Sequence, residues 1–143
     1  MLLKFHEEFE LRVEDVYPFF PTPMDWTRLY GAFGEVEDRG DGWYAVPLRR
    51  FPFPLVARIT HDEPLKCVKW EFKGFWRGDG EVSFSPATDG VTVQGYERIS
   101  VRPLLWLSPF IERLFLEKRF KAVWESGWRR LRRQTADRVE SNS

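Results

Sequence analysis

Several features are scarce in this sequence, and each scarcity excludes a class of protein. Among its 143 residues is one cysteine, Cys67, so no intramolecular disulfide can form, and a reducing compartment is expected. The two histidines, His6 and His61, do not stand at metal-ligand spacing from each other or from Cys67, so no metal site is expected. Basic and acidic residues both number 22, and this balance gives no electrostatic signature of nucleic-acid binding.

Long apolar segments are also missing. No window reaches the roughly 18 uncharged apolar residues that a membrane-spanning helix needs. The first eleven residues, MLLKFHEEFEL, lack the apolar core of a secretion signal. No G-x-S-x-G or other nucleophile motif occurs, and no cofactor is indicated. We therefore expect a cytoplasmic protein that has no integral membrane association and does not bind nucleic acid.

Aromatic residues, by contrast, are abundant. They make up 17% of the chain, with seven Trp and thirteen Phe. A chain of this length forms one compact domain with a single core, and large flat side chains fill such a core or line a cavity in it. We expect one domain over residues 1–137 and a flexible polar tail over residues 138–143.

Alternating apolar and polar residues predict seven antiparallel strands. Tight turns between them are indicated by Asp-Gly pairs at positions 41, 79 and 89 and by the segment 61–64. The predicted strands cover residues 3–12, 35–39, 43–50, 54–61, 66–77, 81–86 and 91–102.

The helical signals lie at two places in the chain. Two short helices are expected after the first strand, one near Val13 and one over residues 23–30, because prolines keep this region short. The last long segment, residues 104–133, has apolar residues at helical spacing in its second half. Inside this predicted helical segment, Ser108 followed by Pro109 is a typical helix start. Any helical turn before Ser108 is expected to be a separate short element.

This order of elements resembles the helix-grip fold of the START-like (SRPBCC) superfamily, which includes the polyketide cyclase/dehydrase family and plant pathogenesis-related allergens. The likeness extends over nearly the whole chain and includes the phrases FELRVEDVYPFFPTPMDW, VKWEFKGF and WRRLRR. It implies an α+β fold in which a curved seven-stranded antiparallel sheet wraps around a long C-terminal helix, with two short helices after strand 1. None of these phrases is a catalytic signature.

The resemblance also implies an elongated apolar cavity between the sheet and the helix. The inward strand faces and the helix stripe supply its candidate lining, although the same large side chains could instead fill the interior. The candidate ligand-binding residues are Phe5, Glu7, Phe9, Trp70, Phe72, Trp76, Phe84, Val93, Glu97, Phe120, Trp124 and Trp128.

Two carboxylates interrupt otherwise apolar strand faces. Glu7 lies in the first strand and Glu97 in the last, and these strands are neighbours in the helix-grip arrangement, so we expect the two side chains to approach each other. A buried carboxylate must be protonated, hydrated or matched by a cation, for which the candidates are Arg49, Arg58 and Arg113. The alternatives are a structural ion pair or an outward orientation.

Two further patterns have structural explanations. The tetrapeptide Arg-Gly-Asp-Gly occurs at residues 39–42 and 77–80, and we interpret both copies as hairpin turns. Four arginines at positions 129, 130, 132 and 133 are expected to face solvent near a helix C-terminus.

Three functions are compatible with this sequence. The leading hypothesis is binding of a small hydrophobic molecule, either lipid-like or aromatic. An alternative is an enzyme of the polyketide cyclase, aromatase or dehydrase type, with Glu7, Glu97, Tyr96 or Arg58 moving protons; its catalytic residues are not identified by any motif. A third is a protein- or membrane-interaction module of the same fold, and self-association into a homodimer is a further hypothesis.

Overall fold

The computed structural model describes residues 2–26, 35–47, 53–101 and 109–141; in the C-terminal helix it describes the side chains of residues 118 and 121–136. The elements, in chain order, are strand β1 (Leu2–Phe9), helix α1 (Val13–Val16), a 3-10 helix (Tyr17–Phe19), strands β2 (Glu37–Gly40), β3 (Trp43–Val46), β4 (Leu55–Glu63), β5 (Cys67–Lys73), β6 (Trp76–Ala87) and β7 (Gly90–Val101), and helix α2 (Pro109–Ser141).

The seven strands form one antiparallel sheet in the order β1-β7-β6-β5-β4-β3-β2. Consecutive strands from β2 to β7 are hairpin neighbours, whereas β1 pairs with β7. The short helices follow β1, and the long helix α2 follows β7. The curved sheet with its C-terminal helix is the α+β helix-grip fold that the sequence predicts.

The hairpin between β5 and β6 differs from the prediction. The sequence predicts a single strand over residues 66–77 followed by a turn at Asp79-Gly80. This prediction is wrong, because the chain reverses earlier, at Gly74. Gly74 has a φ of +92°, a conformation that glycine adopts without the Cβ penalty of other residues. Asp79 and Gly80 lie inside β6, so the second Arg-Gly-Asp-Gly segment is part of a strand. Trp76 consequently belongs to β6.

The first Arg-Gly-Asp-Gly segment is a hairpin turn, as predicted. Asp41 and Gly42 connect β2 to β3 with φ angles of 55° and 82°. The turn predicted at residues 61–64 lies later, because β4 continues to Glu63 and the turn residues are 64–66. Asp89 stands in the turn before β7, as expected.

The helical predictions are confirmed in part. Helix α2 begins at Pro109, as its start signal indicates, but it extends to Ser141 instead of ending near Arg133. The extension has a packing reason, since Thr135 is buried and its hydroxyl donates a hydrogen bond to the Leu131 carbonyl at 2.8 Å. Helix α1 begins at Val13 as predicted. Of the second short helix, residues 23–26 form a turn; its other residues, 27–30, and the segment 104–108 lie outside the described residues.

The core lies between the inward face of the sheet and helix α2, with the short helices covering one side. Alternate residues of β5, β6 and β7 point inward, and side chains of α2 meet them. The largest fully buried apolar side chains are Trp70, Trp76, Phe20, Leu55, Ile99 and Leu131.

Candidate ligand site

A row of residues crosses the inward face of the sheet and contains a buried carboxylate. Leu3 of β1 is paired with Glu97 of β7, Glu97 with Gly80 of β6, Gly80 with Trp70 of β5, and Trp70 with Ile59 of β4. Because paired residues point to the same face of a sheet, the carboxylate and the indole lie on either side of a residue without a side chain.

Gly80 makes room for the Trp70 indole. A Cβ atom at position 80 would lie 2.5 Å from Trp70 Nε1 and 2.6 Å from its Cε2, both far inside van der Waals contact. The indole therefore lies directly over the glycine backbone, on the strand next to Glu97. Trp26, from the segment after the short helices, covers Trp70 with ring centroids 5.2 Å apart in an edge-on arrangement.

Glu97 is almost completely enclosed, with 1% of its surface exposed. The indole N–H of Trp124 on α2 donates a hydrogen bond to Glu97 Oε2 at 2.6 Å. Within the described part of the chain, Glu97 Oε1 and Trp70 Nε1 are buried without a hydrogen-bond partner. Since buried polar atoms in proteins are nearly always paired, these two atoms mark an incomplete polar site.

Burial raises the pKa of Glu97 to about 7, because the charged form would lose its hydration in this apolar setting. The Trp124 hydrogen bond acts in the opposite direction and limits the rise in pKa. Trp70 also lowers the pKa, yet its N–H does not meet hydrogen-bond geometry with the carboxylate. Trp70 therefore acts on the pKa of Glu97 by lying close to the carboxyl group. With a pKa of about 7, Glu97 is largely protonated below neutral pH.

Aromatic rings from β1 and α2 form a wall beside this carboxylate. Phe5 stacks on Trp124 with centroids 4.7 Å apart, and Trp124 stacks on Trp128 at 5.3 Å. Trp128 also packs against Phe9 and Phe20. One side of the wall is accessible to solvent, because Phe5 is only partly buried. Trp124 and Trp128 are 6% and 3% exposed.

A groove of about 360 Å³ opens between edge strand β1 and helix α2, along this aromatic wall. Trp124 links the groove to the buried site, because its ring lines the groove and its N–H bonds Glu97. Charged side chains of both signs surround the apolar surface. The groove is lined by Leu3, Lys4, Phe5, His6, Glu7, Lys121, Trp124, Glu125 and Trp128.

Glu7 and Glu97 do not come together, contrary to expectation. Glu7 is paired with Val93, four residues from Glu97 along β7, which corresponds to about 13 Å along the strand. Glu7 is half-buried at the groove and accepts a hydrogen bond from Arg132 Nη2 at 2.8 Å. The Glu7–Arg132 contact is the structural ion pair that the sequence analysis gave as an alternative. Arg132 was expected to face solvent, but its guanidinium contacts β1.

The cations suggested for the two carboxylates are elsewhere or not described. Arg58 pairs with Glu71 on the outer face of the sheet and stacks over Trp43. Arg49 lies outside the described residues, and so does the side chain of Arg113. Among the described residues, the partner of Glu97 is an indole N–H from α2 and not a cation.

The remaining predicted lining residues lie mostly in the core. The side chain of Phe120 falls outside the described part of α2. Sequence reasoning missed Leu3, Gly80 and Trp26 as members or neighbours of the site, and the only available signal was the position of Gly80 within an alternating strand pattern. The apolar predicted lining residues that are buried are Phe9, Trp70, Phe72, Trp76, Phe84, Val93, Trp124 and Trp128.

Two other features of the described residues bear on function. No group of three or more His, Cys, Asp or Glu side chains among them is arranged to hold a metal ion. Nor does any helix in this part of the chain have the length and apolarity needed to cross a membrane.

Comparison with known proteins places the fold but not the activity. No protein-family model and no curated protein matches this sequence. Among solved structures, a conserved protein from Geobacillus kaustophilus is similar with a TM-score of 0.75 and 15% identity over 96% of both chains. A protein from Nitrosomonas europaea has a TM-score of 0.69 and 12% identity, covering 98% of this chain and 97% of its own.

A third similar structure is the di-domain ARO/CYC StfQ from the steffimycin biosynthetic pathway. It has a TM-score of 0.70 and 12% identity over 98% of this chain, which spans about half of StfQ, at 52%. At such low identities the likeness shows a shared fold, that of helix-grip proteins including an aromatase/cyclase, and leaves function to the residues of the site.

Proposed function

We propose that this protein binds a small, largely apolar molecule, aromatic or lipid-like, between the sheet and helix α2. The observation that carries this proposal is the groove between β1 and α2, whose aromatic wall stands against a buried and incompletely paired carboxylate. Ligand sites in proteins are typically apolar concavities of about 300–1,000 Å³ with a few convergent polar groups. The groove and Glu97 fit that description.

The wall favours a flat ligand. Phe5 is partly exposed and stacks on Trp124, so a planar molecule entering the groove meets ring faces and edges. Offset and edge-on contacts between aromatic groups contribute about 0.5–1.5 kcal/mol each beyond burial of area. The mixed charges at the rim, from Lys4, Lys121 and Glu125, do not select one sign of ligand charge.

A fluorescence titration with the neutral probe N-phenyl-1-naphthylamine tests this proposal. We expect saturable enhancement of probe emission, with affinity reduced roughly fivefold by Phe5→Ala through loss of one aromatic contact. The matched control is Phe53→Ala, which removes an exposed phenylalanine away from the groove and should leave the affinity unchanged. Non-saturable emission, or equal effects of the two substitutions, would contradict binding in the groove.

A second candidate function is acid–base chemistry on a bound ligand. Two observations favour it, namely the fold shared with an aromatase/cyclase and a carboxyl whose pKa, about 7, suits proton transfer at neutral pH. Glu97 is then the candidate proton donor and acceptor. NMR of deuterium exchange at the carbon next to the carbonyl of 2-acetylnaphthalene tests this function: protein-dependent exchange that Glu97→Gln abolishes is expected, and exchange no faster than in buffer rejects it.

A further inference from the structure

Two buried polar atoms near the middle of the sheet lack partners within the described residues, and they belong to neighbouring residues of one cross-strand row. They are Glu97 Oε1 and Trp70 Nε1, separated by the bare backbone of Gly80. The residues that carry them are 1% and 2% exposed. Leaving such atoms unpaired is costly, so a group that pairs with both would be held firmly.

The hydrogen-bond pattern identifies both atoms as donors when the carboxyl is neutral. An indole N–H can only donate, which settles the role of Trp70 Nε1. The Trp124 N–H donates to Glu97 Oε2, and because a carbonyl oxygen accepts better than a hydroxyl oxygen, we assign the proton of the neutral acid to Oε1. With the proton on Oε1, this oxygen and the Trp70 N–H are both donors, and two donors cannot satisfy each other.

We infer that Glu97 and Trp70 form a two-donor site for the carbonyl oxygen of an apolar ligand, such as an aromatic ketone, aldehyde or quinone. A carbonyl oxygen has two lone pairs and no proton, so it accepts from both donors at once. A hydroxyl can also accept, but its own proton would be left without an acceptor. This inference rests on the proposed binding function and adds the chemical class of the ligand.

The groove lies next to this site. Leu3 and Trp124 line the groove, while Leu3 is the strand partner of Glu97 and Trp124 is its hydrogen-bond donor. Phe5 covers Trp124 from the exposed side. The ligand carbonyl passes the edge of these rings to reach Glu97, while the aromatic body of the ligand packs against Phe5 in the groove.

The site also makes carbonyl binding depend on pH. When Glu97 loses its proton, Oε1 becomes an acceptor that can pair with the Trp70 N–H, and both donors are lost to the ligand. The groups next to Glu97 among the described residues, Leu3, Gly80, Trp70 and Trp124, carry no charge. The ionisable groups beyond Trp124, along the groove, are Lys4, His6, Glu7, Lys121 and Glu125.

The test compares two fluorescent ligands that differ in one group. The ketone is 6-propionyl-2-dimethylaminonaphthalene, and its partner without a carbonyl is 2-dimethylaminonaphthalene. At pH 6 we expect the wild-type protein to bind the ketone roughly tenfold more tightly. Ketone affinity should fall roughly tenfold between pH 6 and pH 9, whereas affinity for the carbonyl-free ligand should stay constant.

Two substitutions separate the donors. Trp70→Phe removes one N–H and should weaken ketone binding roughly fivefold while changing the affinity for the carbonyl-free ligand less than about twofold. Glu97→Gln keeps a donor at the Oε1 position and an acceptor for Trp124, so ketone affinity should be retained at pH 6 and no longer fall by pH 9. His6→Gln is the control for the imidazole at the rim and should leave the pH dependence intact.

The outcomes distinguish this inference from the proposed function. Equal binding of both ligands by the wild type overturns the two-donor site while leaving a general apolar groove. Failure of both ligands to bind overturns the proposed function as well. If Trp70→Phe loses its far-ultraviolet circular dichroism spectrum, the Glu97→Gln pH profile decides: a fall in ketone affinity that persists in this variant contradicts the site.

Discussion

Glu97 is an acidic residue enclosed in the core of the protein. It is buried in an aromatic setting where a charged carboxylate would be poorly solvated, and an indole N–H holds one of its oxygens. Burial raises its pKa to about 7, from an ordinary value near 4.5. A neutral acid in the core retains donor capacity that a carboxylate does not have, and this difference has a measurable effect on stability.

Glu97 makes the protein less stable as the pH rises. Between about pH 4.5 and pH 7 the unfolded chain releases this proton while the folded protein keeps it, so the unfolded state binds fewer protons and is favoured increasingly. The loss is on the order of 3 kcal/mol and is complete above pH 7. The free energy of unfolding of Glu97→Gln minus that of the wild type should therefore increase by this amount between pH 4 and pH 8. Urea unfolding at a series of pH values measures this difference.

The control for this prediction is Glu8→Gln, which changes an exposed glutamate on β1. Its stability difference from wild type should stay nearly constant over the same pH range. A constant difference for Glu97→Gln as well would mean that Glu97 is ionised in the folded protein, and its neutral state would have to be rejected.

Within the sheet, the absence of a side chain at Gly80 leaves the space that the Trp70 ring occupies. The indole occupies the space over Gly80, so the spacing of β5, β6 and β7 determines where its N–H lies relative to Glu97. The same arrangement makes position 80 intolerant of even a methyl group.

Gly80→Ala should destabilise the protein by roughly 2–3 kcal/mol, because the new Cβ would overlap the indole ring and force it to move. Chemical denaturation followed by circular dichroism measures the change. In a Trp70→Leu background the same substitution should cost much less, since the flexible leucine can yield. Equal costs in the two backgrounds would show that the alanine acts on the backbone alone.

Helix α2 is attached to edge strand β1 by Arg132. Its guanidinium pairs with Glu7 at 2.8 Å, donates to the Glu8 carbonyl at 3.2 Å and lies 4.5 Å from the centre of the Phe9 ring. Edge strands expose unpaired backbone groups, and this arginine covers one of them. Its partner Glu7 also lines the groove.

Arg132→Ala should lower the unfolding free energy by about 1 kcal/mol, a modest loss because the ion pair is partly exposed and screened by solvent. Arg132→Lys should restore part of this energy, since it keeps the charge but not the flat stack on Phe9. Arg133→Ala, at an exposed position, is the control and should change little. If both alanine variants behave alike in urea unfolding, Arg132 does not connect helix and sheet.

At the scale of the whole molecule, Trp128 joins parts of the chain that are far apart in sequence. Its ring meets Phe5 and Phe9 of β1, Phe20 after the 3-10 helix, and Trp124 of α2. The grip of the sheet on the helix therefore depends on contacts that form only when all three parts are in place.

Trp128→Ala should destabilise the protein by about 3–5 kcal/mol through loss of buried surface and the cavity it leaves. Trp43→Ala, on the outer face under Arg58 and Lys73, should cost only about 1 kcal/mol. Thermal unfolding monitored by circular dichroism measures both. Similar losses for the two tryptophans would mean that the inner aromatic cluster contributes no more than surface packing does.

Much of this architecture could be predicted from local patterns. Period-two alternation indicates the strands, and Pro109 marks the start of α2, because both signals depend on neighbours in sequence. The β5–β6 turn was predicted at the wrong glycine, since Asp79-Gly80 has typical turn chemistry, yet the chain turns at Gly74. Both glycines fit a turn in isolation, but in the folded protein Gly74 takes the positive φ, whereas Gly80 lies in β6 under the Trp70 ring.

Local sequence patterns are enough to predict the fold class and the inward placement of Glu97, because hydrophobic periodicity indicates which face of each element is buried. Tertiary structure decided which polar groups meet. It put Glu7 beside Arg132 and gave Glu97 an indole partner from a helix 27 residues away. Register across the sheet and the rotation of α2 set these distances, and neither is encoded within any one segment.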